Sequence, residues 1–312
     1  LNTQDVMDVW LKVQSVWLYL EPVFASQDIM KQMPEEGTKF KEVDATWRNL
    51  MDKVLENNKA TVVTRIDNLL PKLQAANAKL DEVQKGLNDY LEKKRGFFPR
   101  FFFLSNDELL EILSETRDPL RVQPHLKKCF EGIEKLEFDE EKKIQGMYSS
   151  EGEYVNFVKV VDPIAAKGQV EVWLGDVEED MIKSVRDVVE KCLQDYMKRP
   201  RDEWVLQWPG QAILCIAMLY WTKEAEESLK DSGLQGLTAF KKKCNDSLTE
   251  IVNLVRGDLK PLNRSTLEAL IVLDVHARDT IVDLVSQKVE DVNDFAWLAQ
   301  LRYYWENDDV WA

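Results

Sequence analysis

Cysteine, histidine, glycine and proline are all scarce in this chain, and each scarcity removes a class of function. The four cysteines, Cys129, Cys192, Cys215 and Cys244, are far apart, show no CxxC spacing and sit in helical patterns. They read as reduced core thiols of an intracellular protein rather than as a disulfide framework. The two histidines, His125 and His276, have no HxxxH or HExxH partner, so zinc hydrolase chemistry is not expected. Cys129 lies one helical turn from His125, in a segment that otherwise reads as packing, which argues against a nucleophile pair. Twelve glycines and ten prolines in 312 residues leave little room for long flexible linkers or low-complexity tracts. The apolar run Ala212–Trp221 is well short of the roughly 20 residues that a bilayer span needs. No signal-peptide pattern opens the chain, which begins directly in an amphipathic helix.

Positive charge is in the minority. Forty-one basic side chains face 56 acidic ones, for a net charge of −15. That balance opposes nonspecific binding to nucleic acid or to an acidic membrane. Microtubule surfaces are acidic too, so no direct tubulin site is expected. Phosphate-binding sequence is also missing: no GxxxxGK[ST] occurs, and no GxGxxG follows a strand. Gly233-Leu-Gln-Gly236 lacks the lysine and the preceding strand, and reads as a turn. Carboxylate pairs carry no signal in so acidic a chain. No catalytic residue, cofactor site or metal site is therefore expected, and no ATP hydrolysis. A chain that starts without Met and stops just after its last element looks like a piece of a longer protein.

What the chain has is helical periodicity. Val6, Val9, Trp10, Val13, Val16, Trp17 and Leu20 form a wide apolar stripe that Pro22 is expected to close. A second amphipathic run spans about Glu35–Asn57, and a longer one about Thr61–Arg95, with Pro71 starting or kinking it. Leu73, Ala76, Leu80, Val83, Leu87, Tyr90 and Leu91 approximate a coiled-coil heptad, so a neighbouring helix should lie alongside. After a predicted Val122–Ile133 helix the period changes. Ile144–Met147, Tyr154–Val161 and Gln169–Leu174 alternate like strands, and Tyr154, Val155, Phe157, Val158, Val160 and Val161 suit a pleated surface. They predict a hairpin or three-stranded meander, the one sheet expected. Helical pattern returns at Val177–Met197, Gly210–Asp231, Leu237–Val255, Ser265–Val289 and near Asn293–Leu301, with Gly257 and Pro261 as cap and breaker.

The expected fold is mainly α: an elongated rod of packed helical bundles with a small antiparallel β-hairpin or meander insert. Its parts would be residues 1–133, an insert and junction at 134–176, and a helical block at 177–312. Lys93-Lys-Arg95 with Arg100, and Lys241-Lys-Lys243, read as solvated faces, with docking of an acidic partner as the functional alternative. The tryptophans are mostly core, while Trp173, Trp204 and Trp208 near turns are candidate exposed anchors. Asp274, His276, Arg278 and Asp279 read as a hydrogen-bond network rather than a catalytic cluster.

The most informative string is Phe97–Leu113, FFPRFFFLSNDELLEIL. Five phenylalanines flank Pro99 and Arg100, and a helix start follows at once. Ser105 or Asn106 can cap it, Asp107 and Glu108 favour its positive end, and Leu109, Leu110, Ile112 and Leu113 supply the buried face. An aromatic core segment entering an amphipathic helix accounts for the string by itself. Its wording, however, resembles the FPRF–FLSNDELLEIL signature in the linker of dynein heavy chains, carried here by Phe98, Pro99, Arg100, Phe101, Leu104, Asn106 and Asp107. Further landmarks recur in order: Asp118-Pro119, Gln123–Phe130, Trp204–Gln211 with Trp208 and Pro209, Ile251–Gly257, Asp274–Asp279 with His276 and Arg278, and Asn293–Trp305 with Tyr303 and Tyr304. The LSNDELLEIL and QPHLKKCFEGI wording is similar to axonemal inner-arm heavy chains.

The resemblance implies a non-catalytic lever that arches over a ring of AAA+ ATPase modules, bending and straightening to drive movement along microtubules. It implies that this piece ends just before the first ATPase module, with ATP and Mg bound only in the downstream modules. It further implies the ring of the same heavy chain as intramolecular partner, a tail with associated dynein chains, and the axoneme of a cilium or flagellum as location. The bend is expected between Leu104 and Asp176, where Pro119, Pro124, Gly132, Gly146, Gly152, Pro163 and Gly168 interrupt the helices. Tyr154, Phe157, Gly152 and Gly168 are the candidate ring-contact or hinge residues. The rival reading is an acidic α-helical interaction scaffold that transmits no force, since fold does not fix function.

Overall fold

Apolar side chains that recur at three- and four-residue steps leave water together, and that requirement organises the whole chain. The computed structural model describes residues 2–114, 118–307 and 309–312. The protein is mainly α-helical and divides into two compact units, Leu1–Ile144 with Val161–Val177 and Gln145–Val160 with Glu178–Ala312.

The first unit opens with α1 (Asn2–Ala25), a short α2 (Gln27–Gln32), α3 (Pro34–Glu56), a single turn α4 (Ala60–Val63) and α5 (Leu69–Phe97). The heptad-like stripe of α5 is buried at Leu73, Ala76, Leu80, Val83, Leu87 and Leu91, against α1 and α3. Aromatic pairs tie α1 to α3: Trp10 and Trp47 have ring centroids 5.2 Å apart, and Phe24 stacks on Phe40 at 5.2 Å. Pro22 does not close α1. In the last turn it removes a single ladder bond, and the buried Phe24 holds that turn helical. The predicted Thr61–Arg95 helix is two pieces, separated by Asn68 in the left-handed region (φ 56°). Pro71 falls in the first turn of α5, where a missing N–H costs nothing.

A 3-10 segment, Pro99–Phe103, leads to α6 (Asn106–Ser114), and a second one, Pro119–His125, to a single turn, α7 (Leu126–Cys129). The Val122–Ile133 helix expected from the sequence is thus absent. Pro119 and Pro124 withhold ladder donors there, and the Gln123 side chain binds out of the segment. Its amide donates to Leu136 O at 2.8 Å, and its carbonyl accepts from Leu136 N at 3.0 Å.

Next come β1 (Lys135–Phe138), β2 (Ile144–Tyr148) and β3 (Tyr154–Val161), one antiparallel sheet in that order. Gln169–Leu174, expected as a strand, instead leads into α8 (Val170–Tyr196). Val170, Trp173, Leu174 and Val177 are all buried, and their spacing is that of one helix face. Trp173 is therefore core, not an exposed anchor.

The second unit adds α9 (Arg201–Trp204), α10 (Gly210–Val255), α11 (Pro261–Ser286) and α12 (Phe295–Leu298). Gly233 (φ 54°, ψ −133°) breaks α10 into the two stretches that the sequence separates. Pro261 starts α11 at its first position, rather than merely ending what precedes it. Val189, Cys192, Trp204, Ile213, Ile216, Ile251, Leu267 and Leu270 form one core; Ala225, Leu229, Leu237, Phe240, Ile281, Leu284 and Trp297 form another. A second sheet, β4 (Tyr304–Glu306) with β5 (Asp309–Trp311), pairs Tyr304 with Trp311. The sequence reading allowed only one sheet, because three-residue strands are too short to show alternation.

Close backbone approach beside the α10 break is testable. A Cβ on Gly236 would lie 2.0 Å from Ser228 O, whereas one on Gly132 meets nothing within 4 Å. Gly236→Ala should cost about 1–3 kcal/mol, and Gly132→Ala less than about 0.5 kcal/mol, measured by chemical denaturation.

Candidate functional site

The signature string folds as an irregular turn leading into α6, and two arginines bond backbone carbonyls within it and beside it. Phe98 and Phe101 are buried edge-to-face at 5.0 Å, and Phe130 packs on Phe98 at 6.1 Å. Arg95, itself buried, donates to Leu104 O at 3.2 Å and to Asn106 Oδ1 at 2.8 Å. Arg100 donates to Cys129 O at 3.0 Å, with its guanidinium 4.9 Å over the Phe130 ring. Lys94 pairs with the buried Glu171 at 2.5 Å. The basic cluster is therefore internal wiring, and only Lys93 of the four residues is exposed. Leu104 is buried, whereas Pro99 and Asp107 face solvent beside Phe97, Phe102 and Phe103.

Ser105 rather than Asn106 caps α6, through a reciprocal box. Ser105 Oγ accepts from Glu108 N at 3.3 Å, and Glu108 Oε2 accepts from Ser105 N at 3.0 Å. Its ion pair with Lys128 first, and then the Ser105 amide, hold the Glu108 carboxyl at about 2. Leu109, Leu110, Ile112 and Leu113 are buried as expected.

The β2–β3 hairpin is seated on two helices of its own unit. Val158 N donates to Ser184 Oγ at 2.9 Å and Lys159 N to Asp180 Oδ2 at 3.2 Å, so two buried polar residues of α8 cover the outer edge of β3. Glu153 Oε1 accepts from Gly210 N at 2.7 Å, a carboxylate on the positive end of α10. Tyr154 packs on Tyr148 at 4.7 Å. Phe157 is buried and Val158 and Val160 are exposed, so the open face of β3 is valine rather than phenylalanine. Gly152 (φ 89°) forms the hairpin turn, and Gly168 (φ 85°) lies in the turn before α8.

Trp204 is fully buried, its indole N–H donating to Cys192 O at 3.2 Å and its ring edge-on to Tyr196 at 4.9 Å. It is a core residue, not an exposed anchor. Trp208 is half-buried and donates to Asp195 Oδ2 at 3.0 Å, next to a half-buried Pro209. Arg201 makes a two-pronged contact with Asp274 at 2.8 and 2.9 Å and reaches Ser247 Oγ at 2.6 Å. Burial alone would lower the Arg201 pKa, but the Asp274 carboxylate outweighs it and leaves it raised. His276 and Arg278 do not join that cluster. His276 is exposed, and Arg278 pairs with Asp279 at 2.6 Å.

The last landmark clamps onto α10. Thr222 Oγ1 accepts from Tyr303 N at 3.0 Å, and the Tyr304 hydroxyl donates to Glu226 Oε1 at 2.6 Å. Burial and the Glu226 carboxylate push the Tyr304 hydroxyl up to about 12. Trp305 packs against the core around Trp204.

Residues 1–192 match the family model described as dynein heavy chain, N-terminal region 2. The chain belongs to the dynein heavy chain family. It is 55% identical over 310 residues to human dynein axonemal heavy chain 3 and 53% identical over 310 residues to human dynein axonemal heavy chain 12. Identity to human dynein axonemal heavy chain 1 is 46% over 309 residues. Each alignment covers 99% of this chain but only 7–10% of the relative, so the chain spans a tenth or less of the length of these heavy chains.

Within this dynein heavy chain segment the chemistry is that of packing. Burial pushes the Cys129 thiol to about 11 and those of Cys192 and Cys244 to about 12, which keeps them protonated and inert. Among the described residues, no group of three His, Cys, Asp or Glu side chains is placed to hold a metal ion, and no helix is long and apolar enough to cross a membrane.

Breaking the Arg201–Asp274 pair by Asp274→Ala should cost about 1–3 kcal/mol, because it leaves a half-buried guanidinium without its carboxylate. The Arg201→Ala/Asp274→Ala double variant should cost less than the sum of the singles in a double-mutant cycle. A second test concerns pH. With the Glu108 carboxyl depressed from 4.5 to about 2, its contribution is fully present above about pH 4.5 and is lost as pH falls through about 2. The gap in thermal midpoint between wild type and Glu108→Gln should be widest above pH 4.5 and close towards pH 2.

Proposed function

We propose that this segment is the linker of an axonemal dynein heavy chain: a non-catalytic lever that bends and straightens over the AAA+ ring. ATP and Mg would act in downstream modules of the same chain, and the motion would reach microtubules through the parent motor. The ring of the same heavy chain is the partner, with the tail and its associated chains beyond, in the axoneme of a cilium or flagellum. One observation carries the reading: a dynein N-terminal region folded as two separately cored helical units. Packed cores resist continuous deformation, so each unit can act as a stiff body while change concentrates in less regular segments. The bend would fall between Leu104 and Asp176, where proline and glycine interrupt the helices.

Two experiments test this. The 312-residue chain should bind no ATP, while the same chain extended through the first ATPase module should bind it clearly. Nucleotide binding by the chain itself would sink the passive-lever reading. In the parent heavy chain, replacing Ser149–Val161 by a short Gly/Ser turn should preserve ATP hydrolysis but slow microtubule gliding; unchanged gliding would remove the hairpin from the mechanism.

A further inference from the structure

The β2–β3 turn holds two adjacent serines in opposite circumstances. Ser149 is half-buried, and its Oγ accepts from the backbone N–H groups of Glu151 at 3.3 Å and Glu153 at 3.1 Å. Ser150 is exposed at the tip, and its hydroxyl makes no hydrogen bond among the described residues. Glu151 and Glu153 follow it at one and three residues' distance, and no basic residue lies within the five positions before it.

We propose that Ser150 is a phosphorylation site for an acidophilic serine/threonine kinase. A kinase must draw the acceptor hydroxyl to the γ-phosphate of ATP, and that is cheapest for an unbonded serine in a tight exposed turn. The exposed Glu151 carboxylate suits a basic substrate cleft, through charge-assisted hydrogen bonds, and Glu153 adds negative charge behind it. In the step, Ser150 Oγ forms a bond to Pγ, and the bond from Pγ to the bridging oxygen of ATP breaks. The hydroxyl proton passes to the kinase's catalytic base, and ADP leaves.

The position has a structural consequence. Glu153, three residues on, is the carboxylate that holds Gly210 N at the start of α10. A phosphoserine adds a charge of about −1.5 to −2 next to that contact. It repels Glu153 and competes for the same helix N-terminus, which loosens the seat of the hairpin on α10. The modification stands on the turn alone; its mechanical meaning rests on the lever reading above.

The test uses the intact 312-residue chain with casein kinase 2 and Mg-ATP, and phosphate is located by mass spectrometry. Phosphate is expected on Ser150, lost in Ser150→Ala and kept in Ser149→Ala. Glu151→Gln should lower the phosphorylation rate about tenfold, the loss of one charge-assisted contact. No phosphate in this turn, phosphate on Ser149, or an unchanged rate in Glu151→Gln would overturn the assignment. Amide hydrogen exchange gives the second readout: phosphorylation should speed exchange at Gly210, and Glu153→Gln should do so without phosphate. Unchanged exchange at Gly210 in the phosphorylated chain would overturn the coupling to α10. Phosphorylation of the parent motor that leaves gliding untouched, with exchange at Gly210 still accelerated, would count against the lever reading alone.

Discussion

Wherever a helix stops, backbone amides and carbonyls lose their ladder partners, and in this protein neighbouring side chains replace them. Arg95 takes Leu104 O, Arg100 takes Cys129 O, and Gln123 takes both polar groups of Leu136. Glu153 takes Gly210 N, Ser184 and Asp180 take the free edge of β3, and Thr222 takes Tyr303 N. Arg264 closes the α10–α11 connection through Val255 O at 2.8 Å and Gly257 O at 3.1 Å. An unsatisfied buried group costs roughly 1–3 kcal/mol, so these few contacts decide which irregular conformations survive. The apolar stripes bring the helices together; the side-chain-to-backbone bonds choose the paths between them.

Charge is divided along the same lines. Arginines with several directed donors hold buried or half-buried carbonyls and carboxylates, as Arg95, Arg100 and Arg201 do. Many lysines sit in exposed pairs, such as Lys39 with Glu82 and Lys79 with Glu42, which contribute little to stability. Part of the basic minority is thus spent inside, and the acidic excess is left largely at the surface.

The lever proposed above would need regions of unequal rigidity, and the two kinds of contact differ in that respect. The stripe of α5 and the cores around Trp204 and Trp297 are dense apolar packing, which opens only by unfolding. The hairpin combines buried Ile144, Met147 and Phe157 with a handful of hydrogen bonds to α8 and α10, and leaves Val158 and Val160 open to solvent.

Much of this was legible in the residues. The stripes of α1, α3 and α5, the capping of α6 and the break near Gly233 are local: periodicity and caps act within a turn or two of their own residues. The family was legible too, and the likeness to its members runs over 310 residues. The misreadings have two causes, windows too short to show a period and partners that lie far along the chain. Val170–Leu174 alternates well enough for a strand over a few residues and shows its helical face only when Val177 is included. Trp204 is invisible as a core residue until α8 supplies Cys192 O. Lys94 and Arg95 look like a solvated run until Glu171, Leu104 and Asn106 arrive around them. The amino-acid order alone determined the helices, their caps and the family, because those depend on neighbours in sequence. Only the tertiary structure decided which charges and aromatics are internal, how the irregular segments run and where the hairpin sits, because those depend on partners that the fold brings from far along the chain.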